Sequence, residues 1–102
     1  MRRKKRPKII ESSGNVFLDL GAAPDEAANL LVRAQLMLQL TRVIEKRKLT
    51  QAKAAKLFGV TQPRISDLIR GKINLFSIDA LIAMLARGGV TVGLTFKSGR
   101  AA

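Results

Sequence analysis

The sequence lacks four residue types that carry much of protein chemistry. Its 102 residues include no cysteine, histidine, tryptophan or tyrosine. Disulfides, thiolate or imidazole metal sites and histidine-based catalytic triads are therefore excluded. Acidic residues are also scarce, with only seven between Glu11 and Asp79. We expect a protein that is not an enzyme and that binds no metal and no cofactor.

Long hydrophobic runs are missing as well. No stretch of about 18 or more apolar residues is present, so the sequence predicts no membrane-spanning helix. The basic opening from Met1 to Lys8 is not followed by the apolar segment that a signal peptide needs. These two absences predict a cytoplasmic protein, and the length predicts a single domain.

Positive charge, by contrast, is abundant. Lys and Arg number 19 against 7 Asp and Glu, which gives a formal net charge of +12, while 47% of residues are hydrophobic. That hydrophobic fraction predicts a folded domain rather than a disordered basic chain. The basic residues concentrate in segments 1–8 and 42–72. We interpret residues 1–14 as a disordered arm that is either a solubilising tail or a phosphate-seeking arm.

Local signals predict a mainly α domain over residues 15–97, built as a compact bundle of four to five helices. Pro24 begins a long helix that runs to about Lys46. Its apolar arc is wide enough for either a core helix or a helix that also packs against a second subunit. Ser77 caps a later helix, which Gly88 and the next glycine end.

The two ends of this domain follow other patterns. Segment 16–20 is short and apolar and can form either a strand or one helical turn. Residues 90–96 alternate apolar and polar side chains, which predicts a C-terminal β-strand. A strand needs a hydrogen-bonding partner, either segment 16–20 or the same strand of a second chain. We favour pairing across a dimer, with residues 98–102 as a tail.

Residues 51–70 have the spacing of a helix-turn-helix. Counted from the first residue, the fifth position is Ala55, which lets two helices cross closely, and the ninth is Gly59, which suits the turn. Val60, Ile65 and Leu68 occupy the apolar positions that bury the second helix against the first. Ile69 is expected to turn inward with them. The outward face is short and polar and is suited to base edges in a DNA major groove.

Selected residues of this segment and Lys72 just after it are assigned roles in DNA binding. Gln62 can pair with adenine, and Arg64 can place its fork on guanine. Thr61, Arg70 and Lys72 are better placed for phosphate. Gln51 can hold both a phosphate and the Gln62 side chain. The predicted DNA-binding residues are Gln51, Thr61, Gln62, Pro63, Arg64, Ser66, Asp67, Arg70 and Lys72.

Asp67 supports two interpretations. It lies three residues from both Arg64 and Arg70, so a local salt bridge that orients these arginines is one prediction. Acceptance of a hydrogen bond from a cytosine amino group is the other. We favour the salt bridge.

The same residues carry a resemblance to a known family. They are Leu49-Thr50-Gln51-Ala52, Ala54-Ala55, Gly59-Val60, Gln62-Pro63-Arg64-Ile65-Ser66, Leu68, Arg70-Gly71-Lys72 and Phe76-Ser77-Ile78. This set resembles the XRE (Cro/repressor-like) helix-turn-helix family, and with segments 15–21 and 90–96 it is most similar to HigA-type antitoxins of toxin-antitoxin modules. The likeness covers about residues 15 to 97. Segment 2–8 is more basic than the family pattern requires.

The resemblance implies a cytoplasmic homodimer that represses transcription from a palindromic double-stranded DNA operator. In antitoxins it also implies a surface that binds an RNase toxin. A stand-alone repressor of the same family is the first alternative. An inhibitor protein that blocks a toxin through segment 15–21 or the long helix, with secondary DNA binding, is the second. A non-specific RNA-binding or nucleoid protein is disfavoured, because only 4% of residues are aromatic.

Overall fold

A computed structural model describes residues 15–98, and the predicted basic arm lies outside this range. Five α-helices and one short 3-10 helix form the described part of the chain, as a mainly α bundle of the kind expected. Their bounds are α1 (Val16–Asp19), α2 (Pro24–Lys46), α3 (Gln51–Phe58), α4 (Gln62–Ile69), the 3-10 helix (Ile73–Leu75) and α5 (Ile78–Arg87). In residues 15–98, none of these helices combines the length and the apolar character needed to cross a bilayer.

Short-range signals define most helix ends. Pro24 stands at the first position of α2, where the missing backbone N–H costs nothing. The Thr50 hydroxyl accepts a hydrogen bond from the Lys53 N–H at 3.1 Å and caps α3. Ser77 caps α5 in the same way, through the Ala80 N–H at 3.1 Å. These interactions satisfy N–H groups that the first turn of a helix leaves unpaired.

Asn15 decides between the two conformations that the sequence leaves open for segment 16–20. Its side-chain oxygen accepts hydrogen bonds from the N–H groups of Phe17 and Leu18, at 2.9 and 3.3 Å. Its side-chain amide donates to the Ala27 carbonyl at 3.0 Å. One side chain therefore caps α1 and ties it to α2, and segment 16–20 begins as a helical turn rather than a strand.

The four helices α2, α3, α4 and α5 share one apolar core. The largest side chains with almost no exposure are Phe58, Phe76, Leu40, Ile65, Leu68, Leu81 and Leu85. Each such burial stabilises the fold by about 1.5–3 kcal/mol relative to an exposed side chain. Because Ile65 and Leu68 lie on α4, this core holds α4 in a defined orientation.

The predicted C-terminal β-strand is wrong. Residues 90–98 have no regular secondary structure, and no strand is present anywhere in the described part of the chain. Val90 and Val92 pack against the core, but Leu94 is 77% and Phe96 86% exposed. An alternating pattern marks a strand only where another strand supplies hydrogen-bonding partners. The one intrachain candidate, segment 16–20, forms a helix instead.

Candidate nucleic-acid interface

The helix-turn-helix is formed by α3, the turn at residues 59–61 and α4. Gly59 adopts the left-handed conformation, with φ of 72°, and ends α3 as predicted. Immediately after it, the Val60 N–H donates to the Ala55 carbonyl at 3.0 Å. Ala54 and Ala55 are buried, so the small side chains let α3 approach its neighbours closely. Gly59 therefore makes the turn, and Ala55 allows the close approach of helices, as the helix-turn-helix spacing predicts.

The amino-terminal end and outer side of α4 face solvent. Gln62, Pro63 and Arg70 are exposed, and Ser66 is half-buried beside them. Ile69 departs from the prediction, because its side chain is 46% exposed rather than turned inward. α4 ends at this residue, beyond the part of the core that its other apolar residues reach.

The two threonines that precede α3 and α4 have different hydrogen bonds. Thr50 caps its helix, whereas Thr61 makes no side-chain hydrogen bond to the first turn of α4. Thr61 is exposed, so its hydroxyl is available to a ligand. Gln51 is exposed at the start of α3, and the structure contains no hydrogen bond between Gln51 and Gln62.

The ion pair made by Asp67 differs from the predicted one. Its carboxylate Oδ1 lies 3.7 Å from the Lys72 Nζ, whereas Arg64 and Arg70 make no ion pair with it. The Lys72 N–H also donates to the Asp67 carbonyl at 3.0 Å. The backbone after α4 therefore turns so that Lys72 lies next to Asp67. The prediction assumed an uninterrupted helix, in which residues three or four apart are neighbours, and so did not include this contact. Such a partly exposed pair contributes about 0–1 kcal/mol to stability.

Arg64 lies on the flank of α4 against the loop that follows it. Its Nη1 donates to the Leu75 carbonyl at 2.9 Å, and its guanidinium carbon lies 4.2 Å from the centre of the Phe76 ring. A guanidinium over an aromatic face is attracted by the ring quadrupole. These two contacts hold the side chain in place, which the sequence analysis did not predict.

Arg33 also contacts this loop, and it is a residue that the sequence analysis did not identify. It lies on α2, and its Nη1 donates to the carbonyls of Ile73 and Phe76 at 3.1 and 3.4 Å. Its Nε donates to the Asn29 side-chain oxygen at 2.7 Å. The four-residue spacing from Asn29 to Arg33 signals this last contact. No local signal indicates the contact with a loop about forty residues away.

Comparisons with known proteins agree with this geometry. The family model for the helix-turn-helix domain matches residues 16–97. A solved structure described as an XRE family transcriptional regulator is similar to the chain, with a TM-score of 0.67 and 27% sequence identity. The match covers 76% of this chain and 86% of that one. No curated protein matches the chain significantly. The chain belongs to the helix-turn-helix domain family, and its fold is that of XRE-type DNA-binding transcriptional regulators rather than of enzymes.

Proposed function

We propose that the protein is a sequence-specific transcriptional repressor that binds a palindromic operator as a homodimer. The observation that carries this proposal is the placement of α4. Ile65 and Leu68 bury its inner side, while Gln62 and Pro63 remain exposed at its amino-terminal end. A short polar helix end held by a rigid core is suited to insertion into a major groove.

In the proposed complex, the two copies of α4 enter successive major grooves about 34–36 Å apart and so exclude RNA polymerase from the operator. Gln62 reads adenine through its paired donor and acceptor. Gln51, the free hydroxyl of Thr61, Arg70 and Lys72 bind phosphates and fix the register. Pro63, Ser66 and Asp67 complete the surface that faces the DNA.

Arg64 reads guanine in this proposal through donors that the loop does not occupy. A guanidinium carries five N–H donors, and the Leu75 carbonyl accepts from one Nη1. The contacts with Leu75 and Phe76 limit the conformations that the side chain loses on binding. Such preorganisation favours binding because less side-chain entropy is lost.

The homodimer is supported by apolar side chains that a monomer leaves in water. Leu38 on α2 is 49% exposed, and Ile69 at the end of α4 is 46% exposed. Both line one apolar groove of about 380 Å³. Light scattering of the purified protein is expected to give twice the chain mass, and Leu38→Ser is expected to lower it. A monomer at all accessible concentrations contradicts this part of the proposal.

We further propose that the protein is the antitoxin of a HigBA-type pair, with an RNase toxin as its partner. The resemblance supports this role, and so does the exposed apolar surface at α1, where Leu18 is 42% exposed and Leu20, the residue after the helix, is 77% exposed. The test is co-purification with the product of a neighbouring gene that encodes a small basic protein, followed by an RNase assay. A neighbouring product that neither binds nor is inhibited leaves the stand-alone repressor as the function.

The experiment for operator binding is a footprint on the DNA upstream of the protein's own gene, with excess competitor DNA. Two protected half-sites about one helical turn apart are expected. Gln62→Ala should lower the preference for this DNA over unrelated DNA by about 1–3 kcal/mol in each of the two half-sites. Lys72→Gln should weaken both equally. Coating without a discrete boundary, or identical effects of the two substitutions, contradicts sequence-specific recognition.

A further inference from the structure

A polar groove of about 470 Å³ lies where α2, α4 and the loop before α5 meet. Two arginines line it, Arg33 from α2 and Arg64 from α4, together with the polar side chains of Asn29, Asn74 and Ser77. Because Arg64 belongs to α4, the groove is continuous with the helix that we propose to enter the major groove.

Both guanidinium groups are fixed by neutral oxygen atoms. Arg33 donates to the carbonyls of Ile73 and Phe76 and to the Asn29 side chain, and Arg64 donates to the Leu75 carbonyl. Within residues 15–98, neither has a carboxylate at ion-pair distance. The loop therefore holds both cations in a defined position without neutralising them.

The remaining donors define the ligand that the groove fits. The hydrogen bonds of Arg33 use its Nε and Nη1, which leaves the two N–H groups of Nη2. Arg64 keeps Nε and Nη2 in addition. The guanidinium groups of Arg33 and Arg64 are both positively charged and lie in one groove, where these residues are half-buried, so they repel each other. An anion bound between them would remove that repulsion. Phosphate oxygens match the planar fork of arginine particularly well.

We propose that this groove binds a phosphate group of the DNA backbone and that Arg33 is a phosphate-binding residue outside the helix-turn-helix segment. The proposal rests on the proposed DNA-binding function. It adds a contact between α2 and the DNA backbone. Because phosphate contacts set the orientation of a protein on DNA, this contact fixes the angle at which α4 enters the major groove. Arg64 contributes its positive charge next to the same phosphate, and its free N–H donors remain available for guanine.

The test compares Arg33→Gln with Arg42→Gln in the full-length chain. Both substitutions remove one positive charge from α2, but the exposed Arg42 lies nine residues after Arg33, on the opposite side of the helix and about 14 Å farther along it. Affinity for the upstream DNA and for an unrelated duplex is measured across a range of salt concentrations.

Arg33→Gln is expected to weaken binding to both duplexes by the same factor and to reduce the salt dependence by about two phosphates, one for each subunit of the dimer. Two phosphate contacts are together worth about 12-fold in affinity between about 50 and about 200 mM salt. The wild-type protein should therefore lose about 12-fold more affinity than Arg33→Gln over that interval. Arg42→Gln should keep the wild-type salt dependence. An unchanged salt dependence in Arg33→Gln overturns the proposal.

Arg33→Lys separates phosphate binding from support of the loop. Lysine keeps the charge but cannot reproduce the fork that holds two carbonyls. A phosphate site predicts that Arg33→Lys keeps the wild-type salt dependence, and a purely structural role predicts that it loses affinity as Arg33→Gln does. Failure of the wild-type protein to give a discrete footprint would refute sequence-specific repression instead. The salt dependence on unrelated DNA would still test the phosphate site.

Discussion

Two isoleucines on α4 test whether the core orients this helix as described. Ile65 has no exposed surface, whereas Ile69, one turn later, is 46% exposed. Ile65→Ala removes buried methyl and methylene groups and leaves a cavity, which costs about 2–5 kcal/mol. Ile69→Ala removes side-chain atoms that are about half in water and leaves no enclosed cavity, so it should cost about 1 kcal/mol. Sequence periodicity alone predicts equal losses, because it turns both residues inward.

The measurement is thermal unfolding followed by far-ultraviolet circular dichroism, since the chain has no tryptophan or tyrosine for fluorescence. A loss of 1 kcal/mol lowers the Tm of a domain of this size by about 4–8 °C. Ile65→Ala should therefore lower it by about 14–28 °C for the mid-range loss of about 3.5 kcal/mol, and Ile69→Ala by about 4–8 °C. Repeating the scans at a higher protein concentration identifies any part of the loss that comes from a dimer contact. Equal losses at every concentration would refute the orientation of α4.

Two further pairs of substitutions test the helix ends. Gly59→Ala and Gly71→Ala both place a Cβ at positive φ, which costs about 1–2 kcal/mol. At Gly59 the Cβ would also lie 2.6 Å from the Cδ of Arg87, but that side chain is exposed and can move aside, so urea unfolding should show similar losses at the two positions. A much larger loss at Gly59 than at Gly71 would show that Arg87 is held in place there. Thr50→Ala should cost about 0.5–2 kcal/mol because it removes a cap. Thr61→Ala should leave the free energy of unfolding nearly unchanged and weaken DNA binding, and a large stability loss would show that its hydroxyl is not free.

Much of the helical framework could be predicted from the sequence. Pro24, the caps Thr50 and Ser77 and the left-handed Gly59 each act on the next few residues, so the helix ends that they define agree with the structure. The helix-turn-helix spacing depends on the same short-range rules, with Ile65 as a buried position that periodicity identifies. Local hydrogen bonding and steric limits on φ need no knowledge of the rest of the chain.

Features that depend on distant partners could not be predicted in this way. The alternation at residues 90–96 is real, but no strand lies beside it among residues 15–98, and the segment is irregular. Ile69 has the periodicity of a core residue but lies where the core ends. The exposure of a residue depends on which other elements pack around it. The apolar pattern along one element does not indicate where those other elements lie.

The candidate site also has parts that the sequence predicts and parts that depend on the tertiary structure. The sequence by itself identified α4 and its exposed polar end, because helix periodicity assigns each residue to a side. Only the tertiary structure brought Arg33 and Arg64 together, by folding the loop at residues 73–76 back across α2 and α4. In the same way, the turn that follows α4 brought Lys72 next to Asp67. Long side chains reach whichever backbone lies nearby, and which backbone lies nearby is decided by packing of the whole core.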